Sequence, residues 1–417
     1  MPSLNHANIY FNQQGTPVAT DFDDIYFSNE GGLAETDYVF LQHNGLPKRW
    51  EDHSQRYFHI IETGFGTGAN FLLCWQRFRQ FRQQHPAAQC RKLYFSSYEK
   101  YPLTYSDLGK ALQLLPELSD QCQLLLAQYP PAVAGCQRLI FDEGSVVLDL
   151  WLGDVNELLP QLLSHIGTTV ATFTCAGLVK RGLQQSGFAI KKVKGFGRKR
   201  EMLTASFQPP ADADNEPQAV TNHSANGKVV IVGGGIASLC LALQLIDKGI
   251  TTELICADNT VAQGASHNLQ GAVYPNLHAL PTPASLLHCQ AFHFARHFYQ
   301  RLAAQGLAFA MQWCGVLHLA TNPALSQRQQ KIIDNGAWPT ELVYPVTADQ
   351  ASQIAGVVLE HSGIFLPQAG WLSPQQFCQA ALAVLLQSTL FQVKFNSKVT
   401  AITTIATDVK PAPLWQV

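Results

Sequence analysis

The feature that most constrains the fold is a pair of glycine-rich turns of different design. They are Glu62-Thr63-Gly64-Phe65-Gly66-Thr67-Gly68 and Gly233-Gly234-Gly235-Ile236-Ala237-Ser238, set 169 residues apart from Gly64 to Gly233. Each follows an apolar, β-branched or aromatic run, residues 57–61 before the first and 228–232 before the second. Glycine lets the backbone turn tightly and approach a ligand closely, and the helix that follows points its positive N-terminus at that ligand. Each turn is followed by a second strand that ends in an acid, so the pair points to two nucleotide cofactors on one chain.

The surrounding pattern agrees with strand–turn–helix units at both places. Asn70 to Arg82 reads as a helix, and Lys92 to Tyr98 as a second strand ending at Glu99. Val146 to Leu152 and Thr168 to Thr174 are strand-like, with room for one short helix, Asn156 to Ile166, between them. This alternation predicts an α/β fold with a doubly wound parallel sheet. Further on, Ile236 to Lys248, Ser285 to Gln305 and Pro374 to Gln387 read as helices, and Thr251 to Cys256, Cys314 to Ala320 and Val399 to Ile405 as strands. Residues 208–227 carry no period and little apolar surface, which makes them a linker between a domain at 1–207 and another at 228–417. A length of 417 residues favours the same division, because one core rarely organises so long a chain.

The first turn has the Glu-x-Gly-x-Gly-x-Gly form used for S-adenosylmethionine, whose amino-acid tail faces backbone near Gly64, Gly66 and Gly68. Glu62 opens this motif, and Glu99 is placed to accept hydrogen bonds from both ribose hydroxyls. Asp154, in Leu152-Gly153-Asp154-Val155, is placed near the adenine. The plainer reading of Glu99 and Asp154 is a solvated carboxylate at a strand end. The second turn is a dinucleotide fingerprint whose last glycine is replaced by Ser238, small enough to keep helix and strand close. Asp258 lies 23 residues past Gly235, near the position expected of a ribose-binding acid. The polar, glycine-bearing segment 263–275, which includes Gln270, suits the length of FAD.

Composition limits the partners. A formal charge of −2 excludes a uniformly basic nucleic-acid binder and leaves room for a local patch. Such a patch is Lys191-Lys192-Val193-Lys194-Gly195-Phe196-Gly197-Arg198-Lys199-Arg200, six cations in ten residues around one aromatic, which suits phosphate contacts with a stacking surface. Its plainer reading is a solvated hairpin. The basic-aromatic helix carrying Trp75, Arg77, Phe78, Arg79, Phe81 and Arg82 reads more simply as a core helix. The ten cysteines are scattered with no Cys-x-x-Cys, so they read as reduced thiols with no metal site. The N-terminus has no basic stretch leading into an apolar one, and no apolar run reaches the roughly 18 residues of a spanning helix, which fits a cytoplasmic protein.

Several stretches together resemble the bacterial bifunctional tRNA 5-methylaminomethyl-2-thiouridine biosynthesis proteins, the MnmC family. They are residues 22–29, 62–71, 99–104, 151–160, 171–177, 195–203, 233–238 and 264–275. The resemblance implies a Rossmann-like class I methyltransferase domain followed by an FAD-dependent, amino-acid-oxidase-like domain. It also implies a two-step edit of the tRNA wobble uridine. The FAD-dependent half removes the carboxymethyl group from a carboxymethylaminomethyl side chain, and the other half methylates the resulting amine from S-adenosylmethionine. Relatives carry, between Asp154 and Thr168, a further strand, an Asp-Gly-Phe-Ala-Pro segment whose aspartate faces the amine, and a further helix. Their absence here predicts a missing cleft wall as well as a missing acid. The C-terminal domain is likewise expected to be incomplete, and His267 and Leu269 stand where relatives have glycine and arginine. No residue is assigned as the base in either half. The competing readings are a small-molecule amine oxidase fused to a methyltransferase and a non-catalytic remnant of the tRNA enzyme.

Overall fold

A computed structural model describes residues 4–21, 24–26, 32–158, 169–172, 177–194, 201–208, 228–405 and 414–416. The chain divides into two compact units, one of residues 1–217, 275–297 and 318–364, the other of residues 218–274, 298–317 and 365–417.

The first unit begins with three short antiparallel strands, β1 (Ile9–Phe11), β2 (Pro17–Ala19) and β3 (Asp24–Ile25). Its body is a seven-stranded sheet of β4 (Tyr57–Thr63), β5 (Lys92–Glu99), β6 (Gly135–Phe141), β7 (Val146–Leu152), β8 (Thr169–Thr172), β9 (Phe188–Lys194) and β10 (Glu201–Phe207), in the order β6-β7-β5-β4-β8-β10-β9. The four central strands pair in parallel and the outer pairings, β6–β7, β8–β10 and β10–β9, are antiparallel, so the parallel sheet expected from the sequence has antiparallel margins. Every second residue of β4 and β5, Phe58, Ile60, Leu93 and Phe95, enters one core with helix α1 (Ala69–Gln84). Phe71, Trp75, Phe78 and Phe81 of α1 are at most 2% exposed, so the basic-aromatic helix is a core helix. Its arginines serve structure: Arg77 pairs with Asp37 at 3.2 Å, and Arg79 with Asp142 at 2.6 Å. The Asp142 carboxylate also accepts from the Trp75 indole at 2.6 Å, fixing α1 to the β6–β7 hairpin.

The place beside β4 is filled by the next described strand of the chain. Strand β8 pairs in parallel directly with β4, matching Ile60 to Thr169, Ile61 to Val170 and Glu62 to Ala171. Hydrogen-bonding groups along β4 need partners whichever strand supplies them, and the next strand along the chain has taken the place beside the first.

The second unit holds a three-stranded parallel sheet, β11 (Val229–Val232), β12 (Thr252–Ile255) and a later strand, Phe391–Lys394, with β12 in the middle. Glu253 on the central strand joins its neighbours by ion pairs to Lys228 (2.7 Å) and Lys394 (3.0 Å). Helix α2 (Ile236–Asp247) follows β11 and packs on β11, β12 and helix α3 (Pro374–Leu385). Of the strand expected over 399–405, only Thr403–Ile405 is one.

Candidate functional site

The first loop is built by three glycines that an L-residue would replace only under strain. Gly64, Gly66 and Gly68 take φ of +86°, +55° and +74°, and Gly68 is the N-cap of α1. Gly64 donates to the carbonyl of Tyr98 at 2.7 Å, which ties the turn to the end of β5. Beyond Gly64 a Cβ would meet nothing within 4 Å, so open space adjoins the backbone there.

Two carboxylates support this loop in different ways. Glu62 is 2% exposed, and its oxygens accept from the Asn70 amide and, at 2.8 Å, from the Ser97 hydroxyl. Burial, aided by the charge of Glu99, pushes its carboxyl up to about 7 against the opposing pull of those donors. Glu62 therefore braces the loop from beneath. Glu99 is half-buried at the mouth, where it accepts from the backbone N–H of Gly66 and of Tyr101, both at 2.9 Å. Burial raises its carboxyl, while backbone donors including Gly66 hold it down.

Asp154 forms a 2.9 Å ion pair with Lys100 and accepts from the Asn156 backbone at 2.9 Å, which holds its carboxyl below the usual range. It stands in the turn after β7, where Gly153 donates to the Glu99 carbonyl at 2.8 Å, so Glu62, Glu99 and Asp154 lie at the carboxyl ends of three neighbouring parallel strands. Asn70 and Ser97 carry no motif of their own in the sequence. Ser97 is legible in principle, because strand alternation puts it on the Glu99 face.

In the second unit, Gly233 has φ of +104° and donates to the Ile255 carbonyl at 2.8 Å. A Cβ at Gly234 would lie 2.7 Å from the Cys256 sulfur and 3.3 Å from the Val261 Cα, so close approach of turn and strand requires this glycine. Gly235 is the N-cap of α2, and Ile236 donates its N–H to the Ser266 hydroxyl at 3.0 Å. Ala237 and Ser238 complete the first turn of the helix, and the site of a Cβ on Gly233 is 3.8 Å from the Ser238 hydroxyl. Asp258, three residues beyond β12, and Gln270 are exposed. Strand–turn–helix geometry, an acid after the second strand and a helix N-terminus facing the turn all fit a dinucleotide.

Lys191, Lys192 and Lys194 are exposed on β9, the edge strand of the large sheet, and Lys192 pairs with Glu201 at 2.6 Å. Exposed lysines on an edge strand also guard against pairing with another chain. Arg198, Lys199, Arg200 and Phe196 lie outside the described residues, as do 159–168 and 209–227.

Comparison with known proteins finds both kinds of domain. An FAD dependent oxidoreductase family model matches residues 228–412, and an S-adenosyl-L-methionine-dependent methyltransferase model matches residues 116–167 and 161–208. The bifunctional MnmC protein of Vibrio cholerae serotype O1 (strain M66-2) is 41% identical over 440 residues, covering 97% of this chain. The chain is similar to MnmC proteins along nearly its whole length.

The MnmC protein of Pseudoalteromonas translucida (strain TAC 125) is 40% identical over 94% of this chain. This chain spans 65% of the length of either relative. The alignment with the Vibrio protein runs to 440 positions against 417 residues here, so at least 23 positions of that MnmC protein have no counterpart, 440 less 417. Among solved structures, MNMC2 from Aquifex aeolicus matches with 16% identity and a TM-score of 0.33 over 49% of this chain and 72% of its own. No helix among the described residues is long and apolar enough to cross a membrane.

Proposed function

We propose that this chain edits the wobble uridine of tRNA. In the region 228–417 an FAD-dependent step removes the carboxymethyl group from 5-carboxymethylaminomethyl-(2-thio)uridine. In the region 1–207 the freed amine is methylated to 5-methylaminomethyl-2-thiouridine, the residues 208–227 linking the two. The observation that carries this reading is the presence of both kinds of cofactor loop in one chain that is 41% identical to a bifunctional MnmC protein along 97% of its length. FAD supplies an acceptor for the hydride and S-adenosylmethionine supplies the methyl group.

The residues present suit these groups. Backbone at Gly64, Gly66 and Gly68 faces the amino-acid tail, Glu99 accepts from the ribose hydroxyls, and Glu62 holds the loop in shape. Asp154 takes the adenine side, still paired to Lys100. The N-terminus of α2, reached through Gly233 to Ser238, faces the pyrophosphate, Asp258 takes a ribose hydroxyl, and Gln270 lies along the flavin. Lys191, Lys192 and Lys194, with Arg198, Lys199 and Arg200, contact tRNA phosphates, so the site of action is the cytoplasm. Replacing Lys191 and Lys194 by glutamine is expected to weaken binding to all tRNA sequences alike. It should also lower the slope of the salt dependence by about one for each phosphate that is no longer neutralised.

The deciding experiment is nucleoside mass spectrometry of under-modified tRNA incubated with the chain, FAD and S-adenosylmethionine, starting separately from the carboxymethylaminomethyl and aminomethyl forms. Conversion of both supports the reading. Conversion of neither, beside an active relative, favours the remnant, which the positions lacking a counterpart also favour. Flavin reduction by free sarcosine without tRNA would favour the small-molecule oxidase.

A further inference from the structure

Tyr26 is held at the mouth of the first loop by an element that belongs to neither cofactor motif. It follows β3, and its backbone N–H donates to the Pro17 carbonyl of β2 at 3.2 Å. A Cβ built on Gly66 would lie 2.9 and 3.3 Å from two carbons of the Tyr26 ring, so the ring closes over that glycine. The Gly66 N–H beneath it donates to Glu99 at 2.9 Å, which brings ring, glycine and carboxylate to one place. Burial and the charge of Glu99 push the phenol up to about 12, so its proton stays on the oxygen. No described residue makes a hydrogen bond with the Tyr26 hydroxyl.

We propose that Tyr26 is a cofactor-positioning residue, its ring walling the loop and its hydroxyl donating to a ribose oxygen whose own proton is accepted by Glu99. A carboxylate alone only accepts. A phenol beside it supplies the missing donor, so the pair suits a ligand hydroxyl that accepts from one partner and donates to the other. This inference rests on the proposed use of S-adenosylmethionine by the first loop.

The test is calorimetric titration of the full chain with S-adenosylhomocysteine and with its 2′,3′-dideoxy analogue, for wild type, Tyr26→Phe and Tyr26→Ala, alongside thermal unfolding of each. Tyr26→Phe is expected to weaken S-adenosylhomocysteine about tenfold, the effect of one hydrogen bond of roughly 1.4 kcal/mol. It should leave the dideoxy analogue and the unfolding midpoint unchanged. Tyr26→Ala is expected to weaken both ligands. Equal loss for both ligands in Tyr26→Phe, or no loss for either, overturns the role of the hydroxyl. No binding by the wild type overturns the cofactor reading itself, and this inference with it.

Discussion

At the scale of single residues, the first loop rests on backbone shapes and a buried acid whose effects are separable. Gly66→Ala combines a left-handed φ of +55° with a collision at 2.9 Å, whereas Gly64→Ala carries only the strain of φ +86°. Left-handed backbone costs an L-residue about 1–2 kcal/mol. Gly66→Ala is therefore expected to lower the thermal midpoint further than Gly64→Ala in the same buffer. Glu62 gives the fold a pH signature. Its carboxyl stands at about 7 in the fold against 4.5 ordinarily, so between those values the folded chain holds a proton that the unfolded chain has released. Its contribution is complete below pH 4.5 and is lost as the pH rises through 7, on the order of 3 kcal/mol at about 1.4 kcal/mol per unit. Glu62→Gln, which cannot ionise, is expected to show a smaller fall in chemical-denaturation stability from pH 5 to pH 8 than the wild type. An equal fall would place the titrating group elsewhere.

Among the elements, the β6–β7 hairpin and α1 depend on one side chain. Asp142 accepts from Trp75 and twice from Arg79 while its backbone sits at φ +45°. Asp142→Ala leaves the indole N–H and the guanidinium without that partner and is expected to cost about 2–4 kcal/mol in urea unfolding. Asp142→Asn, which tolerates this backbone and can still accept, should cost less. In the second unit, Val230 and Val232 are 36% and 47% exposed on β11, the edge of its sheet. Val230→Thr with Val232→Thr is expected to leave the thermal midpoint unchanged and to reduce concentration-dependent light scattering.

The central elements are legible in the sequence because their signals are local. Residues 57–63, 92–99 and 146–152 are apolar runs, and two of them are punctuated by glycine. Gly135–Phe141 is not legible, because a strand that buries Gln137 at 2% and exposes Arg138 shows no clean alternation. The glycines at positive φ are legible from residue type alone. The inward turn of Glu62 is not, because Asn70 and Ser97 meet it only in three dimensions.

For the whole molecule, the two loops lie in separate units, and each ligand stabilises what it binds. A ligand at 100 times its dissociation constant adds about 2.7 kcal/mol. S-adenosylhomocysteine is expected to protect amides of the first unit from hydrogen exchange, and FAD those of the second. Protection by either ligand in the wrong unit would contradict the assignment of the loops. Strand order is the least legible property, since nothing near Thr169 announces that β8 lies beside β4.

That neighbour relation also bears on how the chain reaches its native state. Ile60 and Thr169 are partners across 109 residues, 169 less 60, whereas β6 and β7 meet across a short turn. Closing the longer loop costs more chain entropy and is offset only once β5 and β7 have formed a template beside β4. The β4–β8 ladder is then expected to zip after the β6–β7 hairpin. A nascent chain leaves that side of β4 without this partner until Ala171 has been made.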